Sequence, residues 1–123
     1  MTYDRISIRI QERILKVPTT SNIFANIPAT IPEELFETII TTDELRIERI
    51  ISKGHVSPKD FWYDQSNSEW VMVLQGRAKL RFRENDEIIE LYPGDHLNIP
   101  PHVKHRVEWT DPDQETIWLA VHY

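Results

Sequence analysis

Along most of the chain, apolar and polar residues alternate over short runs separated by turn residues. Leu45-Arg46-Ile47-Glu48-Arg49-Ile50-Ile51 alternates and is broken by Ser52-Lys53-Gly54. Phe61 to Gln65 is a short aromatic run closed by a Gln65–Ser68 turn, and Glu69 to Gln75 is a strand that stops at Gly76. Ala78 to Arg83 alternates again before the hairpin-like Glu84-Asn85-Asp86-Glu87. Ile88 to Leu91, His96 to Ile99, His105 to Trp109 and Thr116 to Tyr123 follow, separated by Pro93-Gly94-Asp95, Pro100-Pro101 and a polar loop. A period of two sends successive side chains to opposite faces of a pleated strand, and proline and glycine end each run. Seven or eight short strands at near-regular spacing predict an all-β closed barrel or two-sheet roll. A parallel α/β sheet is not expected, because long helices do not alternate with the strands.

The N-terminal third follows other rules. Ile6, Ile8 and Ile10 alternate as in a half-buried strand, while Ile6, Ile10, Ile14 and Val17 also share one helical face. The β-branched content favours the strand. Pro18, Pro28 and Pro32 mark a connector. A short helix is expected over Thr30 to Thr41, with Pro32 in its first turn, Glu33 and Glu34 at its positive end, and Leu35, Phe36, Ile39 and Ile40 on one face. The organisation predicted is an N-terminal extension over 1–44, packing on the barrel or on a partner subunit, and a barrel over 45–123. Barrels of this size leave an edge that a second copy can cover, so a homodimer is expected.

Composition narrows the function classes. The 123 residues suit one domain, and a hydrophobic fraction of 40% is enough for a core. The net charge of -6, without a Lys/Arg cluster, disfavours nucleic acid. No cysteine is present, which excludes disulfides, thiolate zinc sites and cysteine nucleophiles. No apolar run approaches the ~18 residues that span a bilayer, and the charged start lacks a secretory apolar region, so a cytoplasmic protein without membrane contact is expected. Phosphate loops, Gly-X-Ser-X-Gly elbows and His-Glu-X-X-His helices are absent. Asp113, Glu115 and the carboxylates of Glu84 to Glu90 read as a solvated surface.

Two segments resemble the paired signature of the cupin superfamily. In Pro93-Gly94-Asp95-His96-Leu97-Asn98-Ile99-Pro100-Pro101-His102-Val103-Lys104-His105, the Gly94, Pro100 and His105 spacing is that of the second motif. His102 departs from its usual glycine and Trp109 from its usual asparagine. The first motif survives in part, as Gly54 and as Glu69 followed six residues later by Gly76. Its His-X-His pair is missing, and the family spacing puts Trp62 and Asp64 there. The resemblance covers Leu45 to Tyr123. It implies a double-stranded β-helix, or jelly roll, with an N-terminal extension containing the short helix.

It also implies a site inside the barrel. A cupin metal centre takes two histidines, one glutamate and one further histidine, a donor set that suits Fe, Mn, Ni or Zn. The surviving candidates are Glu69 and His105, with Asp64 as a substitute carboxylate. Alternation puts Glu69, Val71 and Val73 on one face, and His105, Val107 and Trp109 on one face. Trp62 and Trp109 would then shape a mostly apolar substrate pocket with polar groups at its rim. Tyr63 and Gln65 fall on the opposite face and are expected to be structural. His55, His96 and His102 are expected at the surface; His122 is undecided.

Three functions follow. The first is a divalent-metal cupin enzyme of dioxygenase, isomerase or lyase type, with its reaction unassigned. The second is a metal-free small-molecule binding or sensing module. The third is a structural dimer whose lumen is packed solid. The lost His-X-His pair is the main support for the second, and the alternative to a pocket is that the aromatic rings fill the core or cover a dimer interface.

Overall fold

The computed structural model describes residues 17–123. Eight antiparallel strands form two sheets: β1 (Leu35–Thr41), β2 (Arg46–Ser52), β3 (Glu69–Gln75), β4 (Ala78–Phe82), β5 (Glu87–Leu91), β6 (His96–Ile99), β7 (His105–Thr110) and β8 (Thr116–His122). The larger sheet has the order β1-β2-β8-β3-β6 and the smaller β5-β4-β7. Chain neighbours such as β2 and β3 are separated in the sheet by β8, so this is a jelly roll rather than a meander. The expected all-β roll is formed: seven strands come from the alternating runs after Leu45, the Phe61 to Gln65 run contributes only a bridge at Tyr63, and β1 is the eighth strand.

The core lies between the two sheets and follows from alternation along each strand. Val71 and Val73 of β3, Leu80 of β4, Val107 of β7 and Trp118 and Ala120 of β8 are buried together. Trp118 is the one indole in this core, and its N–H donates to Ser52 Oγ at 3.1 Å, so its polar edge is not stranded.

The helix expected over Thr30 to Thr41 is not formed. Leu35–Thr41 is strand β1, with Leu35 opposite Ile51, Phe36 opposite Ile50 and Glu37 opposite Arg49 on β2. The amphipathic reading overlooked Thr38-Ile39-Ile40-Thr41, four β-branched residues that are stiff at χ1 and suit a pleated surface. Cross-strand chemistry completes the choice. Arg49 makes two bonds to Glu37, at 3.0 and 2.8 Å, and donates to the carbonyls of Ile23 and Ala25. One buried guanidinium thus ties both β1 and the connector to the sheet. The segment Arg5 to Val17, read as strand or helix, lies outside the described residues apart from Val17.

Candidate functional site

Strand register builds the site row by row. Across the inner face of the larger sheet, Arg46 of β2 sits opposite His122 of β8, and His122 opposite Glu69 of β3. Two residues deeper, Glu48 sits opposite Ala120 and Ala120 opposite Val71; deeper still come Ile50, Trp118 and Val73. Directly paired residues share a face, so one period-two pattern on three strands sorts itself into a polar rim above an apolar floor. Ile99 of β6 closes the rim row beside Glu69. From the smaller sheet and the loop before β3 come His105, Val107, Leu80, Tyr63 and Gln65. Together these residues line a cavity of about 180 Å³ at the open end of the barrel. A lumen packed solid, the third expectation, is therefore not what the structure contains.

Glu69 is the centre of the rim. Its Oε1 lies 3.3 Å from His105 Nε2 and accepts from Gln65 Nε2 at 3.3 Å, and its Oε2 lies 3.7 Å from His122 Nε2. His122 Nε2 is closer to Glu48 Oε1, at 2.7 Å, and Glu48 Oε2 is 3.7 Å from Arg46 Nε. Burial pushes the Glu69 carboxyl up, but the hydrogen bond and charge of His105, the charge of His122 and the Gln65 amide outweigh it. The group therefore lies below the ordinary carboxylate range. Glu34 lines the same cavity with the opposite outcome: burial dominates and holds its carboxyl above that range, against a hydrogen bond to Ser52 and the charge of His55.

His105 is locked. Its Nδ1 is 2.9 Å from the Val103 carbonyl, which only accepts, so Nδ1 carries the proton and Nε2 faces the cavity. Tyr63 stacks on one side of the ring, at 5.5 Å between centroids, and Phe82 packs on the other at 6.1 Å.

Of the site residues expected from sequence, Glu69 and His105 meet in the cavity; Asp64, Trp62 and Trp109 do not join them. Asp64 Oδ1 is 2.8 Å from His102 Nδ1 in an exposed pair outside the cavity. The Arg106 guanidinium lies over Trp62 at 5.9 Å, and Arg77 and Lys79 lie over Trp109. These aromatic–cation contacts belong to the outer surface. Each misplacement has a local cause. Tyr63 exchanges both backbone hydrogen bonds with His105, its N–H to the His105 carbonyl at 2.7 Å and the His105 N–H to its own carbonyl at 3.2 Å. That bridge puts Tyr63 on the face of His105, so Tyr63 and Gln65 point inward where Trp62 and Asp64 were expected. On β7, Val107 pairs with Leu80 but Trp109 pairs with Lys79, so Glu108 is an extra residue in the ladder. This bulge sends Trp109 to the outer face and lets Thr110 turn in.

The remaining histidines divide cleanly. His96 is exposed on β6 against Trp70, His102 is exposed, and His55 accepts the Lys53 N–H in a turn, as expected. His122, which the sequence left undecided, is buried in the lumen. Two signals were available in the sequence: His122 continues the Trp118, Ala120 alternation, and Glu48 continues the Ile50 alternation.

The family's metal would need three imidazoles and a carboxylate aimed at one point. At the inward positions here stand Tyr63 and Gln65 in place of the His-X-His pair. Among the described residues no three His, Asp or Glu side chains gather as metal ligands. The His105 nitrogen that would face a metal is opposed by Glu69 instead. This donor set does not fit the family's transition-metal centre.

The chain belongs to the cupin family: residues 48–122 match the Cupin_2 family, a cupin domain. A crystal structure from Ralstonia eutropha JMP134, provisionally named a mannose-6-phosphate isomerase, is 45% identical. It superposes with a TM-score of 0.82 over 85% of this chain and 97% of that one. The polyketide cyclase RemF from Streptomyces resistomycificus is 21% identical, at a TM-score of 0.63 over 74% of this chain and 65% of its own. The cobalt(II) form of HppE in complex with Tris buffer is 16% identical, with a TM-score of 0.63 over 79% of this chain and 57% of that one. The last two share the fold, which hosts varied chemistry. No curated protein matches the sequence. Among the described residues, no helix is long and apolar enough to cross a membrane.

Proposed function

We propose that this cupin takes a small organic molecule into the barrel cavity without a metal ion, holding it between an apolar floor and a carboxylate–imidazole rim. The observation that carries this reading is the Glu69 carboxylate, whose two oxygens are already engaged by His105, Gln65 and His122 above an open cavity. A volume of about 180 Å³ lies below the ~300–1,000 Å³ of drug-sized sites, which suits a metabolite fragment rather than a large substrate. The chemistry the rim offers is proton exchange. His105 and Glu69 form an acid–base pair at the cavity wall, with the His105 ring packed against Tyr63 and Phe82.

The provisional name of the Ralstonia relative points to a phosphorylated sugar. The cavity here does not favour a phosphate dianion: Glu34, Glu48 and Glu69 line it, and among the described residues Arg46 is its single Arg or Lys. An acid–base site of this kind is compatible with isomerisation of an uncharged or positively charged substrate.

Elemental analysis of purified protein tests the reading, beside melting with and without a chelator and native mass spectrometry for a co-purified small molecule. The expected result is sub-stoichiometric Fe, Mn, Ni and Zn and a melting temperature that a chelator does not move. Stoichiometric metal that is lost in His105→Ala would overturn it.

A homodimer is also proposed. Edge strand β1 leaves Phe36, Ile39 and Ile40 about half exposed beside an unpaired strand edge. A monomer by light scattering at micromolar concentration would refute it.

A further inference from the structure

We infer that residues 5–11 of this chain add as a further strand to the free edge of β6, closing the side of the barrel that the described residues leave open.

The two seams between the sheets differ. At one, the loop before β3 covers the edge of β7. The Ser57 N–H donates to the Val107 carbonyl at 2.9 Å, the Val107 N–H donates to Ser57 Oγ at 2.9 Å, and Tyr63 bridges His105. At the other, β5 ends the smaller sheet and β6 ends the larger one. Among the described residues, no main-chain hydrogen bond reaches either strand beyond its own ladder. The seam between them holds an open groove of about 830 Å³ at its hairpin end and continues past Ile89 and Leu97 to Gly94. Phe82, Ile89, Leu97 and Val103 line that groove, packed against the core but only partly buried. A free edge beside exposed apolar side chains is a template for one more strand.

The chain itself carries a strand of matching pattern. Ile6, Ile8 and Ile10 fall on one face of an extended segment, and Arg5, Ser7, Arg9 and Gln11 on the other. The isoleucine face suits the groove floor. The arginine face suits the β5 side, where Glu84, Glu87 and Glu90 are exposed along the seam.

The connector sets the direction. Phe24 and Pro93 line one hollow, so the chain meets the seam at the end where β5 turns into β6. A strand whose C-terminal end lies there runs antiparallel to β6 and puts Asp4 at the hairpin end, where Arg83 and Lys104 stand. The thirteen residues from Gln11 to Phe24 extend to ~45 Å, so reach does not limit it. A tether also holds the segment at an effective concentration on the order of millimolar, which favours its own barrel over that of a second copy.

Paramagnetic broadening in the full chain tests this, because a protein without cysteine takes a single nitroxide through one substitution. With the nitroxide on Asn85→Cys, at the hairpin end of the groove, the amide signals of Ile6, Ile8 and Ile10 are expected to be lost. With it on Glu44→Cys, in the β1–β2 turn at the far edge of the larger sheet, they should remain. Ile8→Asp should restore the Ile6 and Ile10 signals under the Asn85→Cys label and leave the His105 ring-proton resonances in place. Signals that stay sharp under the Asn85→Cys label overturn the inference. Equal broadening in a mixture of nitroxide-bearing chains with isotope-labelled chains that carry none also overturns it, and assigns the strand to a second copy.

Discussion

His105 Nε2 stands 3.3 Å from Glu69 Oε1 while the other ring nitrogen is committed to the Val103 carbonyl at 2.9 Å. Both ring nitrogens therefore have a partner, and the Nε2 contact places two nearly buried polar groups against each other in a geometry that the fold has pre-formed. Its position, joining β7 of one sheet to β3 of the other, makes it structural as well as chemical.

Glu69→Gln is therefore expected to cost about 1–3 kcal/mol at neutral pH, read from the urea midpoint. The pH dependence has a defined sign. A carboxyl held below its unfolded value contributes stability that is present above the ordinary carboxylate range and is lost as pH falls through the depressed value. The gap between wild type and Glu69→Gln should close as the solution is acidified. A gap that is constant from neutral to strongly acid pH would contradict the lowered Glu69 carboxyl.

Glu34 predicts the reverse. Its carboxyl is raised by burial, so its contribution is present below the ordinary carboxylate range and is lost as pH rises through the raised value. Glu34→Gln should raise the urea midpoint at neutral pH and have little effect near about pH 4, where the carboxyl is mostly protonated in either state. A destabilised Glu34→Gln at neutral pH would show that its hydrogen bond to Ser52 outweighs its desolvation.

The inward turn of Tyr63 is open to a direct test by NMR. Tyr63→Ala removes the ring stacked on His105 and should move the His105 ring-proton resonances; Trp62→Ala and Trp109→Ala should leave them in place. Each tryptophan change removes an outer-surface contact with Arg or Lys and is expected to cost about 0.5–1 kcal/mol beyond lost area. A Trp62→Ala shift at His105 larger than that of Tyr63→Ala would reverse the facing assigned here.

Two glycines with the same backbone sign should behave differently. A Cβ at Gly76 would meet Thr116 Oγ1 at 2.4 Å and the Glu115 carbonyl at 2.8 Å, whereas at Gly94 it would meet nothing within 4 Å. Both have positive φ, +82° and +92°. Gly94→Ala is expected to cost about 1–2 kcal/mol for the conformation alone, and Gly76→Ala clearly more, because backbone must also move. Equal thermal shifts would contradict the close approach of β8 to that turn.

The alternation of Glu69, Val71 and Val73, and of Trp118 and Ala120, was enough to predict inward and outward faces, because a strand with one buried face has a single workable phase. Gly94, Pro100 and His105 carried the family, and His105 lines the cavity. What alternation within one run does not contain is the offset between runs. Whether Tyr63 or Trp62 faces inward was decided by a two-bond bridge to His105, forty-two residues away in the chain. Trp109 was turned outward by one extra residue in the β7 ladder, and Leu35–Thr41 became a strand because β2 offered it partners and Arg49 a buried anchor. His122 and Glu48 joined the site only when β8 was laid between β2 and β3. The sequence by itself determined the fold class and the local phase of most strands, since both follow from short-range pattern. Tertiary structure alone decided which residues share the cavity, since that depends on registers between strands distant in the chain.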